Sequence, residues 1–536
     1  MKSYNILSIN FNHDGSAVII SDGKISAFLN TERFSKKKKH PGIRRVDLYN
    51  LLGQAGLDLK DLDMVILCNI NSMDSPDVPI LHGSSLKETW LDFWVHHSME
   101  KVMIDCVEIP CLINPNHHLL HCSLAYFTSP FDEAICFSWD PTGYGVFIGT
   151  RNKIRQVKYE LKRYNSCRWY EKAAVSLFGT GIIGAGKVMG LAPYGSSGKE
   201  KNLLTDQITS LEQLYQQSEN GHSIFVEENG QRLNATLAFN VQQIMDSQLS
   251  VVLDDLYEIA RENGIEANLC LGGGGALNSV TNQIAFENSK FRKLHIHPAS
   301  GDDGTSIGAG LYYWFDYLNN ERRKFSNMEM MYSVLTYEDS IESLLNSPQY
   351  KDMFILDRTV DYIEKTAKLI ANNKIIGWFQ DSSEIGPRSL GNRSILADPR
   401  NPEMRDILNQ KVKFRENFRP FAPSVLNEHA EKWFGLKDSP FMLRVCTVQG
   451  KGVPSISHID NTARIQTVRS EDNPNFYQLI KCFNEITGIP LVINTSFNVK
   501  GQPIVETPED AINCFINTPF DFLVFKNIIV EKKYTC

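Results

Sequence analysis

Long apolar runs are missing from this 536-residue chain, and without one of membrane-spanning length no transmembrane helix and no membrane partner are expected. A signal-peptide layout is missing too, because MKSYNILSINFNHDGSA begins a strand pattern almost at once. There is no CxxC. Its 11 cysteines are scattered and odd in number, which fits reduced thiols in a cytoplasm better than a disulfide framework. There is no basic excess: 55 Lys and Arg face 62 Asp and Glu, and the net charge of −7 argues against a nucleic-acid binder. The one basic cluster, Lys36 to Lys39, reads as a solvated loop. What is present is an ordinary globular composition, 42% hydrophobic and 22% charged, long enough for two or three domains.

The most informative stretch runs from Asn114 to Gly145, NPNHHLLHCSLAYFTSPFDEAICFSWDPTGYG. His117 and His121 stand four apart, so a helix over 116–126 puts them on one face, able to reach one ion. Leu119, Leu120, Leu124 and Ala125 give that helix an apolar side. EAICFSW reads as a buried strand, with Asp140 at its carboxyl end, where open α/β sheets place ligand-binding groups. Two imidazoles and a carboxylate are a usual donor set for Zn, Fe or Mn. Surface histidines at helical spacing are the plain alternative.

Residues 4–33 read as three strands joined by polar turns, NHDG and Asp22-Gly23, and the same layout returns at 133–160. Two such meanders predict a duplicated α/β core of the actin type, whose first-strand turns face each other across a cleft. GTGIIGAGKVMGLAPYG (179–195) formally fits GxxxxGK, but Val188 stands where a P-loop needs Ser or Thr. It is read instead as a glycine-rich loop, either structural or with Lys187 near an anion. In ANLCLGGGGALNSVTN a short strand runs into four glycines and a helix start, a turn that lets bare backbone approach a nucleotide; Gly273, Gly274 and Asn278 are the candidates. Asp302, in the GDDG turn, is either a fourth metal ligand or a helix N-cap. Residues 316–350 are charged and uneven, a reasonable inter-domain connection. Beyond them Arg388, Arg393, Lys413, Arg415 and Arg419 crowd into loops beside the apolar PFAPSVL, which suggests a partly buried phosphate or carboxylate pocket. Ser496 and Asn498 either hold phosphate or ribose hydroxyls or serve as turn residues.

Eleven colinear pieces then carry a resemblance. They are NHDGSA, ERFSKKKKH, HHLLH, DPTGYG, GKVMGLAPYG, GGGALN, GDDGTSIGA, GPRSLGNRSIL, KFRENFRPFAPSVL, TARIQTV and NTSFNVKGQPIV. The chain resembles the O-/N-carbamoyltransferase family of antibiotic and nodulation-factor biosynthesis. The resemblance implies an α/β protein: an N-terminal actin-like (ASKHA, Kae1-like) duplicated domain over 1–335, then a C-terminal YrdC-like domain over 350–536. It implies that His117, His121, Asp140 and Asp302 bind a metal, iron or another divalent ion. It implies further that Arg388, Lys413, Arg415, Ser496 and Asn498 hold carbamoyl phosphate and ATP, the latter with Mg. Carbamoyl-adenylate would form there and pass its carbamoyl group to a hydroxyl or amine of a small-molecule acceptor, with His13 as base and Lys39 beside it. Around Asp140 the family usually shows DGxGE, whereas Pro141, Thr142 and Tyr144 stand here, which bears on acceptor contacts. The segment 69–100, with Trp90, Trp94, His96 and His97, matches nothing in the pattern and is a candidate for shaping the acceptor site. Threonylcarbamoyl transfer to tRNA and a non-catalytic nucleotide-binding role on the same fold are the alternatives.

Overall fold

The computed structural model describes residues 3–69, 98–114, 116–162, 164–196, 208–219 and 223–533. Trp90, Trp94, His96 and His97 therefore lie outside the described residues.

Strand β1 (Asn5–Asn10) pairs antiparallel with β2 (Ser16–Ser21), and β2 with β3 (Lys24–Asn30). On its other flank β1 runs parallel to β4 (Met64–Cys68). After β5 (Ser98–Ile104), which closes the edge, β6 (Val107–Asn114) lies parallel to β4. A second sheet repeats this plan. β7 (Glu133–Asp140), β8 (Gly143–Thr150) and β9 (Lys153–Val157) form the meander. After a hairpin of β10 (Phe225–Glu228) and β11 (Gln231–Asn234), β12 (Asn268–Gly272) runs parallel to both β7 and β13 (Lys293–Ile296). A meander whose first strand is flanked by two further parallel strands, made twice, is the duplicated actin-like core expected from the repeated turns.

Helices His117–Thr128 and Thr305–Leu311 pack against each other between the two sheets. They come close because residue 308 is glycine: a Cβ there would stand 2.1 Å from the Leu120 carbonyl oxygen. The helix Ala235–Glu262 buries Val241, Ile244, Leu249, Val252 and Leu256, the apolar stripe its periodicity predicts, on the outer side of the second sheet. Residues 179–195 are not the loop expected. They form a short 3-10 turn and then the helix Ala185–Leu191, since Ala, Lys, Met and Leu favour helix enough to carry two glycines.

The rest of the chain builds a mixed eight-stranded sheet. Its strands are β14 (Phe354–Arg358), β15 (Ile376–Phe379), β16 (Arg393–Ala397), β17 (Ala422–Leu426), then, past the small ribbon of β18 (Val445–Thr447) and β19 (Thr462–Arg464), β20 (Gln466–Val468), β21 (Leu491–Ser496), β22 (Phe522–Phe525) and β23 (Ile528–Lys532). Helices Tyr362–Ala371 and Pro474–Thr487 cover one face around Trp378 and Phe476, and the helix Pro508–Ile516 covers the other around Phe497 and Phe515. The stretch 384–400, expected as a loop, contains β16, because Ser394 to Ala397 alternate between the two covered faces. The expected connection at 316–350 contains the helices Asn327–Met331 and Glu338–Leu345 and is tied to this sheet by Tyr332 Oη donating to the Leu390 carbonyl at 2.9 Å.

The seam between the two bodies joins an apolar patch, where Phe418, Phe441 and Leu443 pack into the N-terminal core, to a set of hydrogen bonds. Arg33 Nη2 donates to the Gly386 carbonyl at 2.8 Å, Asn282 Nδ2 to Leu443 at 3.1 Å, and Arg444 Nε to Gln283 Oε1 at 2.6 Å. No single helix among the described residues is long and apolar enough to cross a membrane. No disulfide joins the described cysteines, and all but Cys106 are buried.

Candidate active site

Asn116 caps the helix His117–Thr128 by accepting the Leu119 N–H at 3.0 Å, which fixes where the first turn begins. His117 and His121 leave one face of it with their Nε2 atoms 3.1 Å apart. Asp140, at the end of β7, brings Oδ2 to 2.7 Å from His117 Nε2. Asp302, in the turn after β13, brings Oδ1 to 3.4 Å from His121 Nε2 and 3.7 Å from His117 Nε2. The structure thus gathers all four expected ligands, one donor atom from each lying within 4.8 Å of the others.

The atoms turned away from this point are anchored. Asp140 Oδ1 accepts the Thr142 N–H at 2.8 Å, the Thr142 hydroxyl at 2.5 Å and the Gly143 N–H at 3.1 Å. Asp302 Oδ2 accepts from Asn12 Nδ2 at 3.1 Å. Asn69 Nδ2 donates to Asn10 Oδ1 and to Thr305 Oγ1, both at 3.0 Å, so its Oδ1 must be the acceptor that faces His117 Nδ1 at 2.9 Å. His117 therefore carries a proton on Nδ1, and a metal would take Nε2 in place of the proton it shares with Asp140, as the outer partner of a metal-bound histidine arranges.

Electrostatics agree. Burial opposes the charge on Asp140, yet the His117 hydrogen bond and the nearby imidazoles hold its carboxyl below the usual range. Against the same burial, His121 and His117 hold Asp302 at about 2. Burial and repulsion from His117 lower the His121 pKa. Two carboxylates about 4 Å apart repel by roughly 4 kcal/mol at an effective dielectric of 20. A divalent cation between two neutral imidazoles removes that cost, and the mixed N/O donor set suits Fe, Mn or Zn.

Beside the cluster stands the first turn of the chain. His13 Nδ1 lies 3.1 Å from Asp14 Oδ2, and Lys39 forms an ion pair with the same oxygen. His13 Nε2 is 3.5 Å from Asp302 Oδ2, and the ring is 38% exposed. The hydrogen bond to Asp14 raises the His13 pKa. Burial works against the charge on Lys39, but Asp14, Asp303 and Asp302 outweigh it and raise its pKa. His118 fills in from the helix, its Nδ1 3.0 Å from Ser138 Oγ, with its pKa pushed by burial down to about 4.

A second group of cations gathers on the loops of the C-terminal body, beside the end of β21. Lys413 Nζ donates to the Ser496 carbonyl and Oγ, to Asn498 Oδ1 at 2.7 Å and to the Asn498 carbonyl at 3.0 Å. Arg415 donates Nε to Asn409 Oδ1 at 2.7 Å and lies 4.4 Å over the Phe421 ring. Arg388 and Arg464 each bury an Nε with no hydrogen-bond partner. Burial and mutual repulsion depress all of these cations, with Arg388 at about 10, Arg464 pressed by Arg388, Arg419 and Arg415, and Lys413 by Arg415 and Arg419. The carboxylate among them is Glu416, 3.7 Å from Arg419 Nη1. A group of cations so short of counter-charge is shaped for a multiply charged anion.

Residues 85–311 match the carbamoyltransferase N-terminus family, and residues 367–532 match the carbamoyltransferase C-terminus family. An uncharacterised protein of Synechocystis is 33% identical over 98% of this chain and 97% of its own length. This chain belongs to the carbamoyltransferase family. Nodulation protein NolO of Bradyrhizobium diazoefficiens is 33% identical over 78% of this carbamoyltransferase and 79% of its own length. Nodulation protein NolNO of Sinorhizobium fredii is 29% identical over 98% and 79%. Among solved structures, HypF of T. kodakarensis aligns with a TM-score of 0.34 at 14% identity, over 59% of this chain and 48% of its own. Component A of the Acidaminococcus fermentans (R)-2-hydroxyglutaryl-CoA dehydratase aligns at 0.33 and 11%, over 58% and 98%.

The remaining expected residues of this carbamoyltransferase are dispersed. Gly273 and Gly274 line the His–Asp cleft, not the cationic pocket. Gly273 has φ +82°, and a Cβ there would stand 2.4 Å from the Trp139 carbonyl oxygen; a Cβ on Gly274 would meet Asp140 Cβ at 3.9 Å. Asn278 caps the helix Ser279–Glu287 by accepting the Thr281 N–H at 3.1 Å, which leaves its side chain occupied. Lys187 reaches across the seam, its Nζ 2.8 Å from Glu416 Oε1, and so stands at the cationic pocket from the other body. Arg393 is not brought there. Its guanidinium lies 3.6 Å over the Phe379 ring and donates to the backbone carbonyls of Gln380, Asp381 and Asn392. Sequence reasoning missed Arg464, Asn69 and His118. Arg464 sits in the TARIQTV motif, which was a visible signal; nothing marked Asn69, a single polar residue after a strand.

Proposed function

We propose that this carbamoyltransferase combines carbamoyl phosphate and Mg-ATP into carbamoyl-adenylate in the cationic pocket, then passes the carbamoyl group to a hydroxyl or amine of a small natural product in the His–Asp cleft. The reading assigns the first step to residues 350–536 and the second to residues 1–335. The observation that carries it is the cluster of Arg388, Lys413, Arg415, Arg419 and Arg464 beside Glu416, an excess of positive charge that a triphosphate and carbamoyl phosphate together would offset.

A carbamate carbonyl is a weak electrophile because its nitrogen feeds electrons into it, so a good leaving group must be attached. Water attacks the phosphorus of carbamoyl phosphate and carbamate leaves with the P–O bonding electrons, giving inorganic phosphate; a carbamate oxygen then attacks the α-phosphorus of ATP and expels pyrophosphate. The arginines offset the charge that gathers on the phosphoryl oxygens. In the cleft the acceptor oxygen or nitrogen attacks the carbonyl carbon, AMP leaves with the bonding electrons, and the acceptor proton goes to His13 Nε2. Asp14 at 3.1 Å orients the His13 ring, and Lys39 steadies Asp14. Iron or another divalent ion held by His117, His121, Asp140 and Asp302 would supply Lewis acidity toward the adenylate phosphate or the carbonyl.

The test is to incubate the protein with carbamoyl phosphate, Mg-ATP and a metabolite extract and to search by mass for the gain of one carbamoyl group. His117→Ala is expected to lose the bound metal and the transfer, while keeping carbamoyl phosphate-dependent exchange of pyrophosphate into ATP. Equal loss of exchange and transfer would refute the division between the two pockets.

A further inference from the structure

Between Lys413 and Arg415 stands Phe414, which the chemistry above does not use. Its backbone is left-handed, with φ 47° and ψ 48°, at the end of the π-helical turn Leu408–Lys413. A bulky residue in that region is a genuine outlier, normally left to glycine or asparagine. Burial does not repay the strain: the ring is 52% exposed, more than that of any other described phenylalanine. It has no aromatic or cationic partner among the described residues, whereas Arg415 lies over Phe421 and Arg393 over Phe379.

The conformation is held from outside. The Phe414 and Arg415 N–H groups both reach the Asn409 carbonyl, the latter at 3.1 Å. Arg415 Nε donates to Asn409 Oδ1, and Asn409, itself buried, donates Nδ2 to the Arg419 carbonyl at 3.2 Å. One asparagine therefore fixes the pocket's cations and the misfit phenylalanine together. Strain kept in place by its surroundings gathers at ligand sites. Phosphate has no planar face for an aromatic ring, and carbamoyl phosphate has only a small carbamoyl plane joined directly to its charges. A nucleoside triphosphate has one, at the end away from its charges, and stacking on an aromatic ring is how such a face is held.

We propose that Phe414 is the stacking platform for the nucleobase of the triphosphate whose phosphates enter the cationic pocket, an inference that rests on the reading of that pocket as an ATP site. The full-length protein is titrated with Mg-ATP and, separately, with inorganic tripolyphosphate, and the KM for carbamoyl phosphate is measured alongside. Phe414→Ala is expected to weaken ATP by about tenfold or more, within the range found for one stacked base. Tripolyphosphate affinity and the KM for carbamoyl phosphate stay as they were, and Phe414→Trp restores ATP binding. Phe414→Gly relieves the backbone, so its Tm rises while its ATP affinity falls. An ATP affinity within twofold of the unaltered protein in Phe414→Ala, or an equal loss of ATP and tripolyphosphate, overturns the stacking role alone. Failure of the unaltered protein to bind ATP at all overturns the ATP reading and this one with it.

Discussion

Lys413 and Arg464 show two ways for a cation to sit in one pocket. Lys413 is enclosed by neutral acceptors from Ser496 and Asn498, so its N–H groups are satisfied within the fold although burial and Arg415 still lower its pKa. Arg464 keeps a buried Nε unpaired and faces three arginines. Removing it should therefore help the empty protein and harm the loaded one. Arg464→Gln is expected to raise Tm in phosphate-free buffer, and to lose most of the stabilisation by tripolyphosphate, which at a hundred times its Kd is worth about 2.7 kcal/mol in a binding-competent chain. Thermal melts with and without the anion decide it. The same contrast shows why the sequence was only partly readable here. Arg388, Lys413, Arg415 and Arg419 announced themselves by crowding, and Arg393 sat among them. Its place in β16 turns it toward Gln380 and Asp381 instead. Arg464 arrives from a three-residue strand far along the chain, where no periodicity could pair it with the others.

Elements were more legible than single side chains where one geometric rule governed them. The spacing of His117 and His121 needs only a helix to converge, and Asp140 needs only a strand of the right length. Residues 179–195 were misread because glycine content spoke for a loop while the intervening residues favoured a helix. Strand β13 and the segment after it carry His295 and His297, both buried. Burial, with the Arg322 charge adding to it, pushes His295 down to about 3, and burial lowers His297 further from its ordinary range with His295 adding to it. Native pKa values below the unfolded 6.5 mean that the unfolded chain binds more protons as pH falls through 6.5, so stability is lost on acidification. Each neutral buried histidine should cost about 1.4 kcal/mol at pH 5.5 relative to neutral pH. Replacing His295 by Phe, beside Phe131 and Phe441, should shrink the difference in denaturant midpoint between pH 7.5 and 5.5 by about half of the two-histidine share. An unchanged pH slope would mean that His295 is charged in the native state.

At the scale of the whole molecule, the two bodies are joined along one seam, part apolar around Phe418 and Phe441 and part hydrogen-bonded. Lys36–Asp510, partly exposed, adds little, since such pairs contribute about 1 kcal/mol at most. The Arg33 donation to Gly386 ties the helix Thr31–Ser35 to the loop that carries Arg388, and Lys187–Glu416 closes the other side. The two bodies are therefore expected to unfold in a single calorimetric transition, and tripolyphosphate should shift that transition as a unit. Two separate transitions, with one alone moving, would show that the seam does not transmit occupancy.

The twice-made meander also has a history written in its turns. Both copies begin with a strand that ends in a polar corner, at 11–15 and at 141–142. One corner is a socket: Asp140, its Oδ1 clamped by Thr142 and Gly143, turns Oδ2 toward His117. The other keeps His13 38% exposed between Asp14 and Asp302, and on the proposed reading it is the corner that meets the acceptor. Twins that have parted this way can drift separately, so a search for altered acceptor preference belongs at residues 12–14, and the second corner is the one to leave alone.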